Sequence, residues 1–121
     1  MNQRLKGNVL AEKSYTFALN IIKVYQALIK AGVEPTLVIQ LLKSGTSIGA
    51  NVREAIGAQS RAEFIAKLSI AYKESLETDY WLSLFKDTGI LHEETANSLI
   101  QANVQIASII SKSSMTAKQN R

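Results

Sequence analysis

Apolar residues recur every three or four positions along most of the chain, the spacing that places them on one face of an α-helix. Phe17, Ile21, Val24 and Leu28 follow this spacing in the first third of the sequence. Three further stretches have the same period, and none is typical of a strand. The pattern predicts four helices, over about residues 8–31, 35–58, 60–88 and 92–112, with a polar tail at 113–121 that we expect to fray.

Turn and capping residues separate these segments. Gly32 and Gly89 suit the left-handed backbone that ends a helix, and Pro35 suits the first position of the next one. Ser60 followed by Glu63 forms a capping box, which satisfies free backbone N–H groups at a helix start. Long helices joined by short connections pack antiparallel to their neighbours. The sequence therefore predicts an all-α fold, an antiparallel up-down-up-down four-helix bundle.

The apolar faces of the third and fourth segments are wider than one bundle core requires. The inward positions are assigned to Phe64, Ile65, Leu68, Ala71, Tyr72, Leu76, Leu82 and Phe85 in the third, and to Ala96, Leu99, Ile100, Val104, Ala107 and Ile110 in the fourth. Tyr80, Trp81, Leu84, Ile90, Leu91, Ile106 and Ile109 lie beside them. This excess predicts a second buried interface, most simply self-association. Scattered exposed apolar residues, which are normal in monomers, are the alternative.

Composition fits a single globular domain, residues 1–121. Hydrophobic residues make up 46% of the chain and there is one Pro, which argues against disorder and against a turn-rich β fold. There is no Cys, so disulfides and thiolate sites are excluded, and a reducing compartment is suitable. Neither a signal peptide nor an apolar run of about 20 residues is recognisable. We expect a cytoplasmic protein with no membrane association.

The net charge of +4 is unevenly distributed. Residues 1–73 contain ten basic and four acidic side chains, and residues 74–121 contain four basic and six acidic ones. A nucleic-acid surface is therefore expected on the first half. The candidate phosphate contacts are Lys13, Lys23, Lys30, Lys43, Arg53 and Arg61. No aromatic residue is interleaved with these positions, so base stacking is not indicated. A chance imbalance on an ordinary solvated surface is the alternative.

The residue types that carry catalysis are scarce. A di-metal centre in a helical bundle needs Glu-x-x-His pairs on facing helices, but His92 is the only histidine and no Glu lies three residues before it. A nuclease motif of Arg-x(4–6)-His also fails, since Lys86 stands in that window instead of Arg. No strand precedes a Gly-rich phosphate loop. The sequence predicts a protein that is not an enzyme and has no metal or cofactor.

Two glycines interrupt the second helical pattern. Gly45 and Gly49 lie four residues apart, and each costs a helix about 1 kcal/mol relative to Ala. Small residues at this spacing allow another helix to approach closely, and the packing gained offsets the cost. A bend at Gly45 is the alternative, and the two are compatible.

A polar stripe accompanies these glycines. Ser44, Ser47, Asn51 and Glu54 share one face of the second helix, and Lys67, Glu74, Glu77 and Trp81 form a stripe on the third. In an antiparallel hairpin the two stripes face each other, with Asn51 level with about Lys67. We expect a hydrogen-bonded structural network that fixes the register of the two helices. A ligand-binding cleft is the alternative.

The central motifs resemble a known family. Four segments are similar to bacterial four-helix bundle proteins encoded by intervening sequences of large-subunit ribosomal RNA genes. Three of them lie within Gln40 to Phe85, namely QLLKSGTSIGANVREA, SRAEFIAKLSIAYKES and ETDYWLSLF, and KSYTFALNIIKVY lies before them. That family also includes the accessory variability determinant of diversity-generating retroelements. The resemblance implies a left-handed bundle, a homopentameric barrel and no catalytic activity.

For the retroelement members, the resemblance implies nucleic-acid binding and association with a reverse transcriptase. This chain is only mildly basic, and so it looks closer to the intervening-sequence members, whose function is largely unassigned. Two hypotheses remain. The first is an oligomer that binds RNA or DNA, in which symmetry multiplies a weak basic patch. The second is an oligomeric scaffold that binds a protein partner.

Overall fold

The computed structural model describes residues 7–120, which fold into four α-helices. They are α1 (Val9–Lys30), α2 (Pro35–Ile56), α3 (Arg61–Asp87) and α4 (Glu93–Gln119). Each helix packs on the one before it, and α4 closes the bundle against α1. The predicted all-α, antiparallel four-helix bundle is confirmed. Among the described residues, no helix is long and apolar enough to cross a membrane.

The predicted helix ends agree with the backbone and capping geometry. The Ser60 hydroxyl accepts a hydrogen bond from the Glu63 backbone N–H at 3.0 Å, and the Glu63 carboxylate accepts one from the Gln59 N–H at 3.3 Å. Gly32 and Gly89 adopt φ angles of +85° and +76°, which a residue with a Cβ rarely adopts. These local signals place the turns without help from tertiary contacts.

The last helix is longer than the sequence pattern predicts. It continues past the predicted end at Lys112 as far as Gln119, so the segment expected to fray from residue 113 is helical up to that point. No Gly or Pro interrupts residues 113–119. Ser114 and Met115 also line a cleft opposite Ile65 at the start of α3. The half-buried Ser113, Ser114 and Ala117 continue the inward face of α4, whereas Met115 is exposed, so partial burial of this face supports the helix.

The core contains residues from all four helices. Its largest fully buried apolar side chains are Ile21 on α1, Val38, Leu41, Ile48 and Val52 on α2, Leu68, Leu82 and Phe85 on α3, and Ile106 and Ile110 on α4. The inward assignment needs correction at three positions: Tyr72 is 38% exposed, Leu76 is 57% exposed and Val104 is 59% exposed, whereas Ile106 and Leu91 are buried. Polar Ser75 and Thr78 hold core positions of α3. A search for apolar residues alone therefore shifted the predicted face toward its neighbours.

The two helical glycines allow α1 to approach α2. A Cβ placed on Gly45 would lie 2.8 Å from Cγ1 of Ile21, and one on Gly49 would lie 3.2 Å from the backbone oxygen of Ser14. Any side chain at Gly45 would overlap the buried Ile21. The helix is continuous through both glycines. The close approach predicted for this pair is therefore confirmed, with α1 as the approaching helix.

Candidate functional site

The six predicted phosphate contacts are all exposed, but they do not converge on one patch. Lys13, Lys23 and Lys30 lie along α1, Lys43 and Arg53 lie on α2, and Arg61 is the first residue of α3. None of the six forms an ion pair within residues 7–120. Their charges are therefore not neutralised by the protein's own carboxylates.

Two of these lysines border the groove between α1 and α4. Lys13 lies beside Gln105, and Lys23 lies beside Ser98 and Glu94. The two lysines are ten residues apart on one helix, which separates them by about 15 Å along its axis. The groove walls carry neutral polar and apolar side chains, with one acidic residue, Glu12 or Glu94, near each lysine. Lys13 and Lys23 thus form a basic row along this groove.

A second groove runs between α1 and α2, where Arg53 meets an aromatic ring. The guanidinium carbon lies 5.7 Å from the centroid of Tyr15, a distance typical of a cation–π contact worth about 0.5–1 kcal/mol at an exposed site. Ala11, Ala18 and Gly49 help to line the adjoining cavity of about 400 Å³. The expectation that no aromatic residue accompanies the basic positions was wrong. Tyr15 and Arg53 are distant in sequence, and only the pairing of α1 with α2 brings them together.

The predicted network between α2 and α3 forms one cross-helix contact. The Lys67 Nζ lies 2.8 Å from a carboxylate oxygen of Glu54, and this hydrogen bond and the attraction between the charges raise the pKa of Lys67. The pair ties the end of α2 to the beginning of α3. Because both side chains are largely accessible to water, its contribution to stability is that of a surface ion pair.

The α2 members of the predicted network bond within their own helix instead. The Ser47 hydroxyl donates to the Lys43 carbonyl at 2.6 Å, and the Asn51 amide donates to the Ser47 carbonyl at 2.8 Å. The buried Ser44 hydroxyl donates to the Leu41 carbonyl at 3.4 Å. Short polar side chains on a helix have a carbonyl within reach one turn back, and that local bond competes with a bond across helices. The predicted network is therefore corrected to the Glu54–Lys67 pair.

The remaining α3 members of the predicted network, Glu74, Glu77 and Trp81, follow Lys67 along the polar stripe of α3. Glu74 is half-buried, and its desolvation, with repulsion from Glu77 in addition, raises the pKa of its carboxyl. Trp81 packs edge-on against Tyr80 and tilted against Phe85. Its indole nitrogen is buried, with no hydrogen-bond partner in the described part of the chain. Neither residue bonds across to α2.

Neutralising Glu74 is expected to stabilise the protein slightly near neutral pH. Its raised pKa means that the native state holds the proton more tightly than the unfolded state, so ionisation above both pKa values favours unfolding. Glu74→Gln should therefore increase the free energy of unfolding near neutrality by less than about 0.5 kcal/mol, which is measured as a small rise in melting temperature. At about pH 3, below the ordinary glutamate pKa, Glu74 is protonated in both states and the gain should vanish. A gain that persists there would contradict this account.

One buried polar pair was not predicted. The Ser75 hydroxyl donates to Asn103 Oδ1 at 2.7 Å, and the Asn103 amide donates back to the Ser75 carbonyl at 2.9 Å. Both residues are buried, and the pair ties α3 to α4. Each lies in a three-four spacing of core positions, Leu68–Ala71–Ser75 and Leu99–Asn103–Ile106. Polar residues at core positions of a helix can fix how two helices align, and a search for apolar residues alone does not detect them.

The lone histidine takes a capping role. His92 Nδ1 accepts a hydrogen bond from the Glu94 backbone N–H at 3.3 Å, at the start of α4. Across residues 7–120, no three His, Cys, Asp or Glu side chains come together as a metal site.

The comparisons with known proteins identify the family. A sequence model of the 23S rRNA-intervening sequence protein family matches residues 6–112. This chain belongs to that family. The match covers most of the chain and all but the end of α4, and it confirms the resemblance read from the central motifs.

A solved structure supports the membership in the 23S rRNA-intervening sequence family. It is a protein of unknown function from the S23 ribosomal protein family of Bacteroides thetaiotaomicron, 44% identical to this chain. The alignment covers 84% of this chain and 94% of that one, with a TM-score of 0.82. None of the curated proteins matches. The relationship to retroelement accessory proteins stays a prediction.

Proposed function

We propose that this protein is a non-catalytic homo-oligomer, a pentamer as the resemblance suggests, that binds RNA or DNA through the basic side chains of α1, α2 and the start of α3. The main support is that the six exposed basic residues form no ion pairs within residues 7–120. Cations that are free of internal partners can displace the counterions condensed on nucleic acid, and this displacement provides the sequence-independent part of binding. The family description, which names 23S rRNA-intervening sequences, is consistent with this proposal.

The geometry favours contacts to the phosphate backbone. Lys13 and Lys23 form a row along the α1–α4 groove, where phosphates can be bound without reading base edges. Arg53 beside Tyr15 adds one cation next to one exposed ring. A single subunit supplies few such contacts, so several copies in one assembly are needed for appreciable affinity. Binding should therefore depend strongly on salt and weakly on sequence.

A protein-binding scaffold is the second candidate, and one observation favours it. A cleft of about 610 Å³ lies between the first half of α3 and the end of α4, lined in part by Ile65, Tyr72, Ile110 and Met115. Exposed apolar surface of this kind is typical of sites that bind another protein. If this is the main function, the protein should show no affinity for nucleic acid even at low salt.

Removal of the lysine row is expected to weaken RNA binding and its dependence on salt. For Lys13→Gln/Lys23→Gln, the slope of log affinity against log salt should become shallower by about 1 for each phosphate that is no longer bound by a lysine, about 2 for each subunit that contacts the RNA. The measurement is fluorescence anisotropy of a labelled ribosomal RNA fragment between about 50 and 200 mM salt.

The matched control is Lys86→Gln/Lys112→Gln, which removes the same charge from α3 and α4. It should leave the slope close to that of the wild type. An equal loss of affinity in both variants would mean that net charge, and not the α1–α4 row, determines binding. A wild-type protein with no affinity at low salt, or with affinity that ignores salt, would refute the nucleic-acid proposal and leave the scaffold.

A further inference from the structure

The cavity of about 400 Å³ in the groove between α1 and α2 is lined by matching rows of residues. Together with Glu54, the rows are Ala11, Ser14, Tyr15 and Ala18 on α1 and Thr46, Gly49, Ala50 and Arg53 on α2. In both rows the second, third and fourth residues follow the first by three, four and seven positions, the spacing that puts residues on one helix face. The two rows therefore face each other across one groove.

The cavity stays open because small residues stand where longer side chains would fill the groove. A Cβ on Gly49 would lie 3.2 Å from the backbone oxygen of Ser14, so the two helix backbones approach closely at this point. Ala11, Ala18 and Ala50 end at Cβ and fill little of the space between the helices. The volume lies within the range of about 300–1,000 Å³ that is typical of pockets for small ligands. There is room here for one flat group of a ligand.

The two large lining residues indicate which kind of flat group fits. The Tyr15 side chain is 37% exposed, and the guanidinium carbon of Arg53 lies 5.7 Å from the centroid of its ring. Unpaired nucleobases stack on tyrosine rings and on guanidinium planes. A base that enters the cavity meets both. The pairing of α1 with α2 therefore supplies the aromatic partner for base stacking that the order of residues along the chain did not indicate.

The charges of the lining residues favour a ligand with an anionic group. Of the described residues that line the cavity, Arg53 and Glu54 are the charged ones. Glu54 is paired with Lys67 at 2.8 Å, whereas the Arg53 guanidinium forms neither an ion pair nor a hydrogen bond within residues 7–120. Its N–H donors are therefore available to a phosphate, which a guanidinium binds through two parallel hydrogen bonds. An apolar side chain of a protein partner would fill the cavity and leave this cation unused.

We infer that the α1–α2 cavity binds an unpaired nucleobase stacked on Tyr15, with the neighbouring phosphate bound by Arg53. This inference rests on the nucleic-acid binding in the proposed function and specifies the form of the ligand, which is a single strand. A base within a duplex is paired and stacked between its neighbours, and it reaches such a cavity only after it is extruded from the stack. Lys13 and Lys23 lie in the other groove of α1 and bind phosphates of either form. The cavity adds a preference for unpaired strands.

The experiment measures the affinity for one labelled RNA oligonucleotide, first as a single strand without internal pairing and then annealed to its complement. Counterion release is greater from a duplex than from a single strand, so phosphate contacts alone favour the duplex. Stacking of one base should reverse this order, and we expect the wild type to bind the single strand about fivefold or more tightly than the duplex. Equal or tighter binding of the duplex would overturn the inference and leave the proposed function in place.

Tyr15→Leu should lower the affinity for the single strand by about fivefold or more and leave the affinity for the duplex unchanged. Because this variant removes no charge, its dependence on salt should equal that of the wild type, unlike that of the lysine variant. Tyr15→Phe keeps the ring and should bind like the wild type. Tyr80→Leu is the matched control, since it removes an exposed ring from α3 and should change neither affinity. Circular dichroism confirms that each variant remains helical.

A crosslinking measurement on the wild type tests the same contact without a substitution. After irradiation, an oligonucleotide that contains 5-bromouracil should be attached to Tyr15 in peptide mapping by mass spectrometry. Adenosine monophosphate carries a base and a phosphate without a strand, and it should displace the oligonucleotide only at a far higher concentration. Displacement at equal concentration would assign the cavity to free nucleotides and overturn the single-strand inference.

The remaining outcomes separate this inference from the proposed function. A wild type that binds neither the single strand nor the duplex at low salt would overturn both. A wild type that binds RNA, but whose crosslinks map away from Tyr15 and whose Tyr15→Leu variant binds equally well, would overturn only the inference. The cavity would then be left to an apolar side chain of a protein partner.

Discussion

Replacing Gly45 with Leu is expected to lower the free energy of unfolding by about 2 kcal/mol or more. The new Cβ would lie within 2.9 Å of both γ-carbons of Ile21, which is fully buried and packed on all sides. Overfilling a packed core costs about 1–3 kcal/mol, and the three further carbons of Leu place this variant at the upper end. The better helix propensity of Leu offsets less than about 1 kcal/mol of that cost.

The measurement is urea denaturation followed by circular dichroism. Ala50→Leu is the matched control, because it adds the same side chain to α2 at an exposed position. It should change stability by less than about 0.5 kcal/mol. Gly45→Ala should fall between the two, since its single methyl group already overlaps Ile21. An unchanged denaturation midpoint for Gly45→Leu would show that α1 does not need this close approach.

The close approach at Gly45 illustrates which features of the fold can be predicted from the sequence. A Gly in a helical pattern has a known cost, so its presence indicates a contact that a side chain would block. The capping box at Ser60 and the turns at Gly32 and Gly89 are equally local, because each depends on the conformation of a few neighbouring residues. Such signals, added to the apolar period, were sufficient to predict four helices and their antiparallel order.

Features that depend on tertiary packing were harder to predict. The final turns of α4 are polar, and only their partly buried residues, such as Ser114 and Ala117, continue the inward face of the helix. The inward face of α3 was misplaced toward Leu76 because the true core position beside it holds Ser75. Hydrophobic period is an average over many residues, and it cannot distinguish a polar residue in the core from one on the surface.

The surface features likewise divide into those that follow from residue type and those that depend on how the helices pack. Exposure of Lys13, Lys23 and the other basic residues follows from their charge, but their separation into different grooves depends on how the helices pack. Arg53 meets Tyr15 only because α1 and α2 pair. The polar stripe of α2 was expected to bond across helices, yet Ser47 and Asn51 have carbonyls of their own helix within reach. Polar residue types therefore predict that hydrogen bonds form, and only packing decides with which partner.

The buried Ser75–Asn103 pair is expected to contribute to the free energy of unfolding, and the contribution of each residue should depend on the presence of the other. Asn103→Ala removes both hydrogen bonds between the pair, leaves the buried Ser75 hydroxyl without its acceptor and opens space in the core. We expect it to lower the free energy of unfolding by about 2–3 kcal/mol, the upper part of the range of about 1–3 kcal/mol for a buried polar group deprived of its partner, because the core also loses packing. Ser75→Ala leaves Asn103 Oδ1 without a donor and should cost about 1–2 kcal/mol.

A double-mutant cycle separates this coupling from the separate effects of the two residues. Once either partner is removed, removal of the other has a smaller effect, so the double variant should be more stable than the sum predicts by about 1 kcal/mol. Thr78→Ala is the control, because the Thr78 hydroxyl is buried on the same helix but bonds to the Glu74 carbonyl of that helix. Its effect should add to that of Asn103→Ala. Additivity in the Ser75 cycle, within about 0.5 kcal/mol, would mean that the Ser75 hydroxyl bond to Asn103 does not couple α3 to α4.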